Sequence, residues 1–163
     1  MFEALDDEQV GRFIGGPGVT SVEATIAHID RVNAGPGPEW AEEWFNWAVL
    51  LDGTVIGRVE ATLRHDTPET GVAEVAYIFG PEWWGHGYAT EATRSMIDLL
   101  ASVHGARQLW ATVDPLNTAS INLLEGLGFT TTDLPEFGLE SFDDGDLVFV
   151  LRRGDEGDAF LQE

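Results

Sequence analysis

Two glycines around a histidine, Gly85-His86-Gly87, stand between an apolar run, Val75 to Phe79, and a segment with apolar residues at helical spacing: Ala89, Ala92, Met96, Leu99, Leu100 and Val103. A strand, a glycine turn and a helix start, in that order, make an anion site. The first helical N–H groups have no partner within the helix, and the helix dipole gathers partial positive charge there. Gly85 and Gly87 remove the side chains that would keep a phosphate off the backbone. The dinucleotide fingerprint needs a small residue three positions after its second glycine, where this chain has Thr90. The nucleotide P-loop needs Gly-Lys-Ser/Thr, and the chain has no lysine: its Lys+Arg count of 8 is Arg12, Arg31, Arg58, Arg64, Arg94, Arg107, Arg152 and Arg153. A G-x-G alone also fits a tight turn that binds nothing.

The next segments narrow the choice. Arg107 to Val113 reads as a second strand with Leu109, Ala111 and Val113 on one face. Asp114-Pro115-Leu116-Asn117-Thr118-Ala119-Ser120 follows, then a short helix ending at Leu127-Gly128-Phe129. Pro115 stops the strand, Asn117 suits an N-cap, and Gly128 suits a helix stop. With these residues, Glu74-Val75-Ala76-Tyr77, Pro81 and Trp84 to Ala92, the chain resembles the GCN5-related N-acetyltransferase (GNAT) family, and especially its ribosomal-protein N-acetyltransferase (RimJ/RimL-like) branch. The resemblance spans roughly Ser21 to Arg152.

That resemblance implies a cosubstrate, acetyl-CoA, and a fold: an α+β domain with a mixed, mostly antiparallel sheet flanked by helices. The parallel strands Val72–Phe79 and Leu109–Val113 are expected to splay apart and admit it. By motif position, Trp84, Gly85, His86, Gly87, Tyr88, Ala89 and Thr90 would hold the pyrophosphate, with Trp84 where Gln or Arg is usual. The backbone of Tyr77, Ile78 and Phe79 would pair with the pantetheine amides. Asn117 would contact the pantetheine or its phosphate end, and Ser120 would lie near the thioester sulfur.

The implied reaction is transfer of acetyl to a primary amine, a protein N-terminus or a small molecule, by direct attack in a ternary complex. Positioning supplies much of the rate, a base takes the amine proton, an acid can protonate the thiolate, and backbone N–H groups stabilise the oxyanion. Glu74, expected on an apolar strand face with Ala76 and Ile78, is the candidate base, its pKa raised by that face. A solvated strand charge explains it equally well. Glu60 is a second candidate, although an ion pair with Arg58 explains it too. Ser120 is the candidate acid, because the tyrosine that many relatives carry four residues later is Leu124 here. A small residue in a first helical turn is its plainer reading. The rival readings are a CoA-binding module without catalysis, another acyl-CoA, or an aminoglycoside-type acceptor.

His28, His65 and His104 show no metal-ligand spacing, so no metal is expected. Glu91 complements the helix dipole, and Arg94 with Asp98 forms an i,i+4 pair. Trp40, Trp44 and Trp47 line an acceptor pocket or join the core.

The elements that must position these residues follow from patterning. Phe2 to Phe13 and Val22 to Val32 read as helices around Gly15-Gly16-Pro17-Gly18, with Ser21 as N-cap. Asn33 to Pro38 is a Gly/Pro loop of the kind that binds acceptors. Trp47–Leu51 and Val55–Leu63 form a hairpin around Asp52-Gly53, and His65 to Gly71 is a turn into the Val72–Phe79 strand. Thr130–Leu134 and Leu147–Leu151 are strands joined by an acidic loop. A family edge strand before the first helix is missing, so it is supplied from elsewhere or the chain is truncated. The loss would expose a sheet edge that favours a homodimer. Residues 1–153 are expected as one domain and 154–163 as a fraying acidic tail.

Composition sets outer limits. At 163 residues and 44% apolar the chain fills one core. It has no cysteine, which excludes a cysteine ping-pong route, and no membrane-length apolar run or signal peptide, so a cytoplasmic protein is expected. The 29 acidic residues give a net charge of −21, which repels nucleic acid and, at long range, coenzyme A. Screening in a salty milieu relieves that repulsion, and the composition suits a salt-adapted or high-GC organism.

Overall fold

The computed structural model describes residues 13, 21–37, 41–67, 70–133 and 145–153. The readings placed on Phe2 to Arg12, the Gly15–Gly18 break, Trp40, the acidic loop and the acidic tail lie outside them. Among the described residues the elements follow in the order α1 (Val22–Ala34), β1 (Glu42–Leu51), β2 (Thr54–Thr67), β3 (Thr70–Phe79), a 3-10 turn (Pro81–Trp83), α2 (Tyr88–Ser102), β4 (Ala106–Val113), α3 (Thr118–Gly126), β5 (Thr130–Thr131) and β6 (Leu147–Arg152).

The strands form a six-stranded sheet in the order β1-β2-β3-β4-β6-β5, with β3 and β4 parallel and every other pair antiparallel. The expected mixed, mostly antiparallel fold is therefore present. Alternation decides which side chains meet the main core. Val59, Ala61 and Leu63 of β2, Ala73, Val75 and Phe79 of β3, and Leu109, Ala111 and Val113 of β4 are all buried on one face. Helix α2 covers that face with Thr93, Met96, Ile97 and Leu100, the i, i+3, i+4, i+7 stripe of an amphipathic helix. This corrects the expected stripe, since Leu99 and Val103 face solvent at 38% and 65% exposure.

Local chemistry sets the element ends. Ser21 caps α1, its Oγ accepting from Ala24 N at 3.0 Å. The β1–β2 hairpin turns on Asp52 and Gly53, whose φ values of 49° and 82° suit a tight hairpin turn. Helix α3 ends in a Schellman motif, in which Phe129 N bonds Leu124 O and Gly128 N bonds Glu125 O, with Gly128 at φ 91°.

Several boundaries differ from the pattern reading. β1 begins at Glu42, because Phe45, Trp47, Val49 and Leu51 keep a period of two despite the charges at its start. The expected turn from His65 to Gly71 is mostly strand: β2 runs to Thr67 and β3 starts at Thr70, paired with each other. β5 is two residues long, and Leu134 lies outside the described residues. Asp98 takes Arg153 Nη2 at 2.6 Å, in place of the Arg94 partner expected from spacing.

Candidate active site

The parallel pair is where the sheet opens. β3 and β4 are in register only from Gly71↔Ala106 to Glu74↔Trp110. Beyond Glu74, β3 stays with β2 as far as Phe79↔Gly57, while β4 stays with β6 as far as Val113↔Leu147. Among the described residues the edge of Val75–Phe79 that faces β4 thus has no ladder partner, and a wedge opens toward the C-terminal ends of both strands. Gly57 keeps the end of β3 close, since a Cβ there would meet Ile78 O and the Phe79 ring at 2.5 Å.

The glycine turn stands at the mouth of this wedge. Gly85 and Gly87 have φ of 75° and 84°, a region costly for other residues, and a Cβ at either would meet nothing within 4 Å. Space beside the backbone is therefore open. Gly87 is the N-cap of the 15-residue α2 and has no side chain to cap it, so the N–H groups of Tyr88, Ala89 and Thr90 lack a capping side chain. This is the arrangement in which a helix receives an anion.

Two neighbours shape the turn. Trp84 Nε1 donates to Phe79 O at 2.8 Å, tying the turn to the end of β3 while the residue stays 45% exposed. Its indole N–H is thereby committed, and its ring face is what remains for a ligand. His86 Nδ1 donates to Trp84 O at 2.8 Å, which leaves Nε2 outward, and its ring stacks on Tyr88 at 5.6 Å and 9°.

On the far side of the wedge, Asn117 caps α3, its Oδ1 accepting from Ser120 N at 3.1 Å. The Asn117 amide oxygen is thus structural. Ser120 is brought into the same region as β3: Tyr77 Oη donates to its carbonyl oxygen at 3.4 Å. Burial pushes the Tyr77 phenol up to about 12, with the Ser120 side chain pulling the other way. Leu124 is fully buried and belongs to the core.

Glu74 sits at the closed end of the wedge, half-buried, opposite Thr62 on β2 and Trp110 on β4. Its face is mixed: toward β4 and β6 it carries the buried cluster of Trp110, Val148 and Val150 with Val72, and toward β2 it is polar. The core residues Ala73, Val75 and Phe79 take the other face, and Ala76 is exposed. The Glu74 face is shared with Arg58, Glu60 and Thr62 of β2, because Arg58 pairs with Ile78 and Glu60 with Ala76. Arg58 Nε meets Glu60 Oε1 at 2.6 Å, a close ion pair without the alignment of a hydrogen bond. Arg58 Nη1 reaches His28 Nε2 of α1 at 3.0 Å, and Arg31 Nη2 reaches His28 Nδ1 at 3.1 Å. A neutral imidazole has one acceptor nitrogen, so only one of these contacts is a hydrogen bond. Burial, then Arg58, lowers the His28 pKa below 6.5. Trp47 packs on the main core, whereas Trp44 lies on the Glu74 face, its Nε1 donating to Glu42 Oε2 at 3.1 Å.

Sequence reasoning missed the Tyr77 side chain, which it used only for its backbone, and the place of His28 beside the Arg58–Glu60 ion pair that it did anticipate. Alternation on β3 carried the first signal, since Tyr77 shares the face of Val75 and Phe79. No signal in the sequence joins α1 to β2.

An opened parallel pair with a glycine-capped helix at its mouth is the geometry that the motifs anticipated, and the comparisons agree with it. The acetyltransferase (GNAT) domain profile matches residues 1–130. The chain belongs to the GNAT family. It is 41% identical over 61 residues to the uncharacterized N-acetyltransferase p20 of Bacillus licheniformis, a match covering 37% of this chain and 34% of that protein. It thus spans about a third of the length of that relative. With the uncharacterized N-acetyltransferase YoaA of Bacillus subtilis (strain 168) it shares 29% identity over 133 residues, covering 79% of this chain and 71% of YoaA. The fold also matches the crystal structure of aminoglycoside acetyltransferase AAC(6')-Ib in complex with coenzyme A, with TM-score 0.67 and 19% identity over 93% of this chain and 87% of that one. At that identity the likeness is one of fold. Among the described residues no helix is long and apolar enough to cross a membrane.

Proposed function

We propose that this chain transfers an acetyl group from acetyl-CoA to a primary amine, on a protein N-terminus or a small molecule, by direct attack in a ternary complex. The observation that carries this reading is the uncapped start of α2, with open space beside Gly85 and Gly87, at the mouth of the β3–β4 wedge. The turn and the N–H groups of Tyr88, Ala89 and Thr90 would hold the pyrophosphate, with His86 in the turn beside them. The free edge of Val75–Phe79 would pair with the amides of the pantetheine arm through the backbone of Tyr77 and Ile78. Phe79 O is already engaged by Trp84. At about 3.3 Å per residue, Glu74 lies roughly 17 Å along the strand from Phe79. The acyl end of an extended arm would therefore approach the closed end of the wedge.

There the amine nitrogen bonds to the thioester carbonyl carbon, the C–S bond breaks, and sulfur keeps the electron pair. Glu74 takes the proton that the amine sheds, directly or through one water. Asn117 acts by capping α3, which sets where Ser120 stands. The Trp84-Gly85-His86-Gly87-Tyr88-Ala89-Thr90-Glu91-Ala92 run supports placement in the ribosomal-protein N-acetyltransferase-like branch. Work in the cytoplasm belongs to the same reading.

Amine-dependent release of free thiol from acetyl-CoA tests the reading, with peptides bearing free N-termini and aminoglycosides as acceptors. The chain has no cysteine, so it adds nothing to the thiol signal. Thiol release that requires an amine is the expected result. Tight acetyl-CoA binding without release for any amine would instead make this a binding module.

A further inference from the structure

We propose that the Tyr77 phenol is a catalytic residue, hydrogen-bonding the thioester sulfur as it leaves, from the sheet face opposite Glu74. The inference rests on the acetyl-CoA reading above. Residues 74 and 77 are three apart on one strand, so their side chains project to opposite faces. Glu74 faces the side of Arg58, Glu60 and α1, whereas Tyr77 faces the main core and α3. A thioester lying in the wedge between these faces would meet an amine from the first and release its sulfur toward the second. The two groups would then attend different atoms of one tetrahedral intermediate, Glu74 the amine nitrogen and Tyr77 the sulfur.

Three further observations support the assignment. Tyr77 lies on the part of β3 that has left β4, so nothing in the ladder separates it from the wedge. Its contact with Ser120 O is 3.4 Å, longer than the roughly 2.5–3.0 Å usual for a hydroxyl donor, and is readily exchanged for a better acceptor. With Leu124 buried in the core, Tyr77 is the phenol that reaches the first turn of α3. Burial holds the phenol protonated up to about 12. A thiolate is a much weaker base than such a phenolate, so the proton stays on the Tyr77 oxygen and only a hydrogen bond is given. The amine's proton goes to Glu74, and the thiolate takes its proton from water after leaving.

The test uses the thiol of bound CoA, which is the only thiol in a complex with a cysteine-free chain. Its ionisation is followed by thiolate absorbance in wild type, Tyr77→Phe and Ser120→Ala, at matched occupancy. The bound thiol should titrate below free CoA in wild type. Tyr77→Phe should raise that midpoint by about one pH unit and lower kcat about tenfold, leaving CoA affinity and melting temperature near wild type. A bound thiol titrating at or above free CoA in wild type overturns the inference without any variant. Equal midpoints in wild type and Tyr77→Phe, or a shift seen only in Ser120→Ala, overturn it as well. Failure of wild type to bind CoA at all would overturn the proposed function, and this inference with it.

Discussion

At the residue scale, Glu74, Tyr77 and His28 each carry a distinct and measurable chemistry. Glu74→Gln keeps the shape and removes the base. We expect kcat to fall by about 100-fold or more with acetyl-CoA affinity unchanged, read by thiol release beside calorimetry. Unchanged turnover would remove Glu74 from the mechanism. Tyr77 is one of 2 tyrosines, so an ultraviolet phenolate titration of the folded protein should show a phase at about 12 that disappears in Tyr77→Phe. His28 predicts a pH effect on stability. Its folded pKa is below 6.5, so the unfolded chain takes up the proton first, and stability present above 6.5 is lost as the pH falls below it. Melting temperatures between about pH 7 and about pH 5 should therefore fall more steeply for wild type than for His28→Gln. Residue identity made Glu74 and Ser120 visible as candidates. It could not show that Glu74 faces charged neighbours, because which strand face is buried depends on where the helices pack.

At the element scale, the strand, glycine turn and helix of the proposed phosphate site were legible because each is local: periodicity, φ > 0 glycines and a cap. Gly87→Ala puts a Cβ on a residue at φ 84°, which costs about 1 kcal/mol and moves the first N–H groups of α2. Acetyl-CoA affinity should drop by more than the melting temperature suggests. Asn117→Ala removes the α3 cap, worth about 1 kcal/mol, and should lower Tm by roughly 2–4 °C. Equal Tm for that variant and wild type would show that the cap carries no weight. Boundaries that rest on pairing were less visible. β2 and β3 extend to Thr67 and Thr70 because each supplies the other's hydrogen bonds, and no single segment announces that. The Asp98–Arg153 bridge was hidden for the same reason, since it joins residues 55 apart in sequence.

At the scale of the whole molecule, the charge of −21 opposes the approach of an anion such as coenzyme A, while on the proposed reading the start of α2 attracts it locally. Salt should separate the two, because the Debye length falls from about 10 Å at 0.1 M to about 3 Å at 1 M. Binding that tightens with salt marks long-range repulsion as the larger effect. The fold class was legible from the order of motifs, and the wedge from two parallel strands that carry them. What holds the wedge open is a tertiary matter, set by β2 on one side and β6 on the other. The measurement that bears most directly on this account is a calorimetric titration of wild type and Gly87→Ala with acetyl-CoA. Micromolar or tighter binding by wild type, weakened tenfold or more by Gly87→Ala, is predicted for a pyrophosphate held on the start of α2. Absent binding, or equal binding by both proteins, would contradict it.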